Sequence, residues 1–161
     1  MTTSTEPTHV LIRLATAADR EFLVGLADRL ADFAHPDWRT RGEIADGDRR
    51  ALIDALDHPT PDRDLFVAEI DGARAGCLLM WTLEDYFAHL RHAHVSVLAV
   101  TRDAEGRGVG RALMERAERW ARDRGYRRIT LNVFDSNHRA RALYERTGYQ
   151  SETRRYVKEL A

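Results

Sequence analysis

The sequence has a single cysteine, Cys77, and no apolar run close to the ~20 residues that a membrane-spanning helix needs. One cysteine excludes an internal disulfide, and no zinc-binding pattern of cysteine and histidine is present. Because Cys77 lies in the apolar stretch GCLLMW, we interpret it as a core residue rather than a nucleophile. The net charge of −1 gives no overall reason to expect a nucleic-acid or membrane partner.

A length of 161 residues favours one domain with its own core. The hydrophobic share of 43% and the charged share of 32% are typical of a soluble globular protein. We expect residues 1–8 to be a flexible tail and residues 9–161 to form the domain. The polar N-terminus lacks the charged and apolar regions of a signal peptide, which predicts a cytoplasmic protein.

Apolar patterning and turn residues predict alternating strands and helices. Asp71-Gly72 between two apolar runs is typical of a β-hairpin with a type I′ turn. The other predicted elements are strands at 10–15, 94–100 and 127–134, helices near 17–31, 43–56, 108–124 and 136–147, and a final extended segment at 152–160. The order strand, helix, strand from 94 to 133 indicates a βαβ unit. We therefore predict an α/β or α+β fold, with a mixed sheet between helices.

Three glycines, Gly106, Gly108 and Gly110, lie between the strand at 94–100 and the long helix. Such a turn exposes unpaired backbone N–H groups at the positive end of a helix dipole, which favours an anion. Side chains at these positions would hold an anion away from the amides, whereas Arg107 and Arg111 add positive charge. The turn therefore predicts a phosphate or pyrophosphate site.

Two common phosphate-binding motifs do not fit this turn. A Walker loop needs Lys and then Ser or Thr after its last glycine, but Arg111 and Ala112 follow Gly110. A dinucleotide fingerprint needs the spacing G-x-G-x-x-G, and GRGVGR has a different spacing. A tight helix start without a ligand is the remaining alternative.

A second motif, N-x-x-A-x-x-L-Y-E-x-x-G-Y, runs from Asn137 to Tyr149. In order with the strand, the turn R-D-x-E-G-R-G-V-G-R-A-L and the long helix, it strongly resembles the GNAT superfamily of N-acetyltransferases. The resemblance covers about residues 94–158, and VLIRLATAAD resembles the start of that family's domain. It implies a GNAT-like fold with a mostly antiparallel, twisted sheet of six to seven strands and about four helices.

The resemblance also implies acetyl-CoA as the acyl donor, without a metal ion. The pantetheine arm would lie along the backbone of Leu98 and Val100 like an added strand, and Asn137 would contact the cofactor. The pyrophosphate would bind the backbone amides of Arg107, Gly108, Val109, Gly110 and Arg111.

Tyr144 has the position of the family's general acid, which protonates the departing thiolate. The reference pKa values of a phenol and a thiol are about 10 and 8.5, so a neutral tyrosine can donate a proton as charge develops on sulfur. The alternative is a core aromatic residue on an amphipathic helix.

The base that removes the amine proton is harder to identify. Many relatives carry a carboxylate on the strand before the turn, but this chain has Ser96 and Val97 there. We expect His94, or the nearby His92, to act as the base or as a water relay. Strict alternation places His94 on the same face as Ser96 and Leu98. A surface histidine without a role is the alternative.

The acceptor is expected to be a primary amine, of a small molecule in preference to a protein. Glu84 and Asp85 are candidates to attract a cationic amine, although ordinary loop charges are an alternative. Trp38, in the segment between the first two helices, is a candidate for the pocket wall. A homodimer is possible because dimers are frequent among similar proteins.

Glu105 departs from the family pattern, which usually has Arg or Gln there. We expect its side chain to point to solvent while Arg102 and Arg107 offset its charge. This departure and the missing carboxylate motivate a second hypothesis, a noncatalytic acyl-CoA sensor.

A nucleic-acid helix is a third hypothesis, because residues 102–128 hold nine arginines and five acidic residues. The interleaved acids favour an ordinary solvated helix face instead, and we expect no nucleic-acid or membrane partner.

Overall fold

A computed structural model describes residues 9–161, and the predicted tail at 1–8 lies outside the described residues. The strands are β1 (Val10–Leu14), β2 (Arg63–Ile70), β3 (Ala73–Glu84), β4 (Arg91–Val100) and β5 (Ile129–Leu131). The α-helices are α1 (Arg20–Leu26), α2 (Arg41–Asp57), α3 (Val109–Asp123) and α4 (His138–Arg146). Short 3-10 helices cover Ala17–Asp19, Ala27–Ala31 and Arg102–Ala104, so the predicted helix at 17–31 is divided into three pieces.

The strands form one sheet in the order β1-β2-β3-β4-β5. The first three pairings are antiparallel, whereas β4 and β5 are parallel and are joined through α3. The predicted mixed, mostly antiparallel sheet and the βαβ unit are confirmed. Within residues 9–161 the sheet has five strands, so the expected six to seven is wrong.

The difference in strand number lies at the C-terminal end of the chain. The strand predicted at 127–134 is reduced to three residues, and residues 152–160 belong to no strand. Arg154, Arg155 and Lys158 interrupt the few apolar residues of that last segment, and its side chains are exposed. It therefore has too little apolar surface on one side to hold it against the sheet.

The turn between β2 and β3 has the predicted geometry. Asp71 and Gly72 have φ angles of +52° and +77°, the left-handed region that a type I′ turn requires at both central positions. Their short or absent side chains tolerate this region, which is why two residues of sequence determine the hairpin.

Hydrophobic side chains pack on both faces of the sheet. One cluster contains residues of α3 with Ala93, Val95 and Leu98 of β4, and Tyr144 of α4 packs against it. The other lies under α1 and α2 and includes Val97 and Ala99 of β4.

Cys77 belongs to the second cluster and is fully buried. Burial raises the pKa of its thiol to about 12, so the thiolate that a nucleophile needs does not form at neutral pH. The interpretation of Cys77 as a core residue is confirmed.

A buried ion-pair cluster joins the start of the first helix to the sheet. The carboxylate of Asp19 is inaccessible to solvent and lies 2.8 Å from the Arg13 guanidinium and 2.6 Å from that of Arg74. These hydrogen bonds hold the pKa of Asp19 well below its usual range, although burial alone would raise it.

Among the described residues, no helix is both long enough and apolar enough to cross a bilayer.

Candidate active site

The sheet opens between β4 and β5 beyond the point where the two strands pair. β5 pairs only with Ala93, His94 and Val95, whereas β3 follows β4 as far as Val100. Thr101 N donates to Ala75 O at 2.8 Å, so alternation directs the backbone groups of Leu98 and Val100 away from β3. Both predicted pantetheine-binding residues therefore border this opening. In the structure, Val100 O accepts a hydrogen bond from Arg29 Nε at 3.4 Å.

The glycine turn lies at the end of the opening, where β4 leads into α3. Gly108 is the N-cap residue of α3 with φ of +82°, and Gly106 has φ of +71°. The first hydrogen bond into α3 is Ala112 N to Gly108 O, at 3.0 Å. The amides of Val109, Gly110 and Arg111 thus have no acceptor within the helix, as an anion site requires.

Gly110 has a different role from the other two glycines. A Cβ atom added there would lie 3.3 Å from Leu143 Cδ2, tighter than ordinary contact. The missing side chain therefore lets α4 pack closely against the start of α3. In contrast, a Cβ at Gly106 or Gly108 would meet no atom within 4 Å among the described residues. These two glycines are therefore needed for their positive φ angles and not for close packing.

Arg107, Gly108 and Arg111 line a surface depression of about 330 Å³ beside the turn. Arg111 Nε lies 3.1 Å from Glu115, and Arg107 Nη2 lies 3.4 Å from Asp71. Both pairs are exposed and weakly held, so both arginines remain able to turn toward an anion.

Glu105 does not point to solvent, which corrects the expectation from the sequence. Its carboxylate pairs with Arg29, and its Oε1 lies 2.7 Å from Arg139 Nη1. The offsetting charges also differ from those expected, because Arg102 pairs with Asp32 at 2.8 Å instead. Arg29 and Arg139 are distant in sequence from the turn, so no local pattern revealed them.

Helix α4 brings Tyr144 and Asn137 to the same side as the glycine turn. Asn137 is the N-cap residue, and its Oδ1 accepts from Ala140 N at 3.2 Å, which leaves its NH₂ group as a donor. Tyr144 packs beside Tyr149, with ring centroids 6.0 Å apart. Burial raises the pKa of Tyr144, so the phenol stays protonated at neutral pH.

A β-bulge in β4 changes which face His94 occupies. Leu79 pairs with Val97 and Met80 with Val95, so Ser96 has no partner on β3. Val95 and Leu98 consequently lie in the same core cluster although they are three residues apart. His94 thus lies on the opposite face from Leu98, and the assumption of strict alternation was wrong.

His94 lies against β5 at the base of the opening. Its Nδ1 is 2.8 Å from Thr130 Oγ1, and His92 Nε2 is 3.1 Å from the same oxygen. Burial, with a smaller effect of His92, lowers the pKa of His94, so the ring is neutral at pH 7. A neutral imidazole is the protonation state that a general base needs. Thr130 carried no signal in the sequence, because only the β4–β5 pairing brings it here.

Of the three residues proposed for the acceptor, Glu84 and Trp38 are exposed and Asp85 is partly buried. Asp85 accepts hydrogen bonds from the amides of Phe87 and Ala88, at 3.1 and 2.7 Å, and these bonds lower its pKa. Glu84 pairs with His89 at 3.1 Å. Trp38 precedes α2 and is 44% exposed. Because it accepts hydrogen bonds from two amides of the β3–β4 loop, Asp85 also stabilises the conformation of that loop.

Asp48 of α2 is a carboxylate that the sequence interpretation missed. It lies on the inward face of α2 together with Ile44, Leu52 and Ala55, which are buried. Leu52 and Ala55 belong to the second core cluster. Burial raises its pKa to about 6. The signal was present, because Asp48 is the one acidic residue at that helical spacing.

Comparison with known proteins agrees with this geometry. The profile described as "Acetyltransferase (GNAT) family" matches residues 27–149. A mycothiol acetyltransferase of Beutenbergia cavernae is 51% identical over 55 residues, which are 34% of this chain but only 18% of that protein. An uncharacterized N-acetyltransferase of Chlorobaculum tepidum is 27% identical over 130 residues, covering 80% of this chain and 76% of that protein.

Solved structures share the fold. An aminoglycoside N-acetyltransferase in complex with CoA superimposes with a TM-score of 0.70, covering 97% of both chains at 19% identity.

Proposed function

The chain belongs to the GNAT family of acetyltransferases, and we propose that it transfers the acetyl group of acetyl-CoA to a primary amine in a ternary complex. The observation that carries this proposal is the opening between β4 and β5, which runs from the glycine turn to the point where His94 pairs with Thr130. The proposed proton donor, Tyr144, packs on the α3 side of the sheet, and the proposed acceptor, His94, lies on the opposite face at the end of this opening.

Several residues of the opening suit the pyrophosphate and the pantetheine arm of coenzyme A. The free amides at the start of α3, with Arg107 and Arg111, suit the pyrophosphate. The backbone of Leu98 and Val100 is directed into the opening and suits the amides of pantetheine. The NH₂ group of Asn137 remains free to donate. No metal ion enters this proposal.

Proton transfer accompanies the exchange of bonds. The amine nitrogen forms a bond to the acetyl carbonyl carbon, and the C–S bond breaks. We assign Tyr144 to protonate the departing sulfur, because burial keeps its phenol neutral. We assign His94 to take the proton that the amine loses, directly or through water, since burial keeps the imidazole neutral.

We propose a small-molecule amine as the acceptor. Support comes from the acidic residues Glu84 and Asp85 at the β3–β4 loop, which favour a cation, with Trp38 as an exposed wall. The structural neighbour that acts on an aminoglycoside gives a first class of compound to test. A peptide N-terminus is the competing acceptor.

The test is acetyl-CoA-dependent release of free thiol with a panel of aminoglycosides, polyamines, amino acids and peptide N-termini. We expect at least one small amine to be acetylated, with the product confirmed by mass spectrometry. Turnover with peptides alone would contradict the acceptor class.

A noncatalytic acyl-CoA sensor is the second candidate, because Ser96 and Val97 provide no carboxylate on β4. CoA binding by calorimetry without turnover of any amine would favour it.

A further inference from the structure

Three polar groups converge on the hydroxyl of Thr130, in the middle of β5. His94 Nδ1 lies 2.8 Å from Oγ1, His92 Nε2 lies 3.1 Å away, and Ala93 O lies 3.5 Å away. The register explains this convergence, because Thr130 pairs with His94 across the parallel β4–β5 ladder. His92 and His94 are two residues apart on one strand and therefore face the same side.

Counting protons at this hydroxyl limits the directions that these hydrogen bonds can take. A threonine hydroxyl donates one hydrogen bond and accepts two. The carbonyl of Ala93 can only accept, so the Thr130 proton is directed there. In that arrangement both histidine nitrogens donate to Oγ1, whereas a Thr130 hydroxyl that donated to His94 Nδ1 would leave the contact with Ala93 O unused. Each neutral ring carries one N–H, so lone pairs remain on His94 Nε2 and His92 Nδ1.

The surroundings of His92 agree with this arrangement. His92 is 9% exposed, and its Nδ1 is buried without a hydrogen-bond partner among the described residues. If Nε2 were the acceptor, the proton would lie on Nδ1 and leave a buried N–H donor unsatisfied, which is rare in folded proteins. Placing that proton on Nε2 pairs it with Thr130 instead.

We propose that Thr130 is a positioning residue that holds His94 in the Nδ1–H tautomer and leaves Nε2 as the atom that accepts the amine proton. The inference rests on the proposed function, in which His94 is the base. When Nε2 takes the proton, the Nδ1–H bond to Thr130 is kept, so the cation forms without a change of partner. The tautomer of a histidine is generally determined in this way by the bond that its other nitrogen makes.

Few ionisable groups face this cluster. His92 is the nearest on the same strand, while β3 presents the uncharged Trp81 opposite His94, with the Arg63 guanidinium over the indole ring. Asp85 of the β3–β4 loop also lies near His92, but its carboxylate is engaged by the amides of Ala88 and Phe87. Among the described residues, the hydroxyl of Thr130 is thus the hydrogen-bond partner of the His94 side chain.

The test combines nitrogen NMR of the histidine side chains with kinetics of Thr130→Val and Thr130→Ser. In the wild type and in Thr130→Ser, neutral His94 should carry its proton on Nδ1. Thr130→Val keeps the shape and the strand propensity but loses the hydroxyl, so the proton should shift toward Nε2. With an amine that the wild type acetylates, kcat/KM of Thr130→Val should fall about 10- to 100-fold. The low-pH limb of its pH profile, which reports the pKa of the base, should move. The KM for acetyl-CoA should be kept, and Thr130→Ser should restore most of the rate.

Two results would overturn this proposal. One is a wild-type His94 with its proton on Nε2, and the other is a Thr130→Val enzyme with an unchanged tautomer and pH profile. His94→Gln separates the proposal from the function on which it rests. If that variant kept the full kcat, His94 would not be the base and the role of Thr130 would be lost, while acetyl transfer itself would stand.

Discussion

Arg139 at the start of α4 donates a hydrogen bond to Glu105, just before the glycine turn, with Nη1 and Oε1 2.7 Å apart. Arg29 pairs with the same carboxylate from the other side of the opening. Glu105 thus connects two segments that border the proposed cofactor site. It also engages two guanidinium groups that would otherwise be available to phosphates.

Replacing Glu105 with Gln should therefore strengthen CoA binding. The substitution removes a negative charge beside the turn, releases Arg139, and leaves Arg29 paired with Asp32 alone. We expect the Kd for CoA to fall about three- to tenfold, measured by calorimetry at low salt, with a smaller effect at high salt. Glu145→Gln is the control for the loss of one negative charge, because Glu145 lies on α4 and also pairs with an arginine. Weaker CoA binding by Glu105→Gln would show that the ion pairs organise the site.

Gly108→Asp should weaken CoA binding by more than tenfold, because it adds bulk and negative charge where the amides meet the phosphates. Gly125→Asp is the matched control, since Gly125 also has a positive φ and open space around its Cα but ends α3 rather than starting it. Both variants should lose about 1 kcal/mol of stability from the left-handed backbone. Equal CoA affinities of the two variants would contradict the phosphate cradle.

Tyr144→Phe should lower kcat about 10- to 100-fold with little change in CoA affinity, because it removes only the proton donor. Tyr149→Phe, which alters the neighbouring ring, should leave kcat near the wild-type value. Thiol release under saturating substrates and calorimetry with CoA provide the two measurements. A Tyr144→Phe enzyme with normal turnover would remove this phenol from the chemistry.

Asp48→Asn should stabilise the protein at neutral pH. The pKa of Asp48 is about 6 in the folded state and about 3.8 otherwise, so the folded state binds more protons between these values. The unfolding free energy therefore falls as the pH rises through about 4 to 6. Because the group is partly exposed, we expect a gain of about 1 to 2 kcal/mol at pH 7.5 and none at pH 4.

Urea denaturation at the two pH values measures this effect. Asp46→Asn, at an exposed position of the same helix, is the control and should change stability by less than about 0.5 kcal/mol. A pH-independent effect of Asp48→Asn would contradict the raised pKa. If the variant also raises the KM for the amine, Asp48 contributes to acceptor binding.

Local features were predictable because few residues determine them. Asp71-Gly72 predicted its turn, since few residue types adopt two successive positive φ angles. Gly108 and Gly125 marked the two ends of α3 for a similar reason. The roles of Tyr144, His94 and the amides from Arg107 to Arg111 came from the motif resemblance and remain predictions.

The sequence by itself determined the class of fold, the glycine turn at the start of α3, and the family, because these depend on short-range patterns and on motif order. Only the tertiary structure decided which face His94 occupies, which cations neutralise Glu105, and that Thr130 lies between two histidines. Each of these depends on a strand register or on contacts across many intervening residues. A one-residue bulge at Ser96 reverses a face without any mark in the composition, since alternation holds only while the ladder is regular.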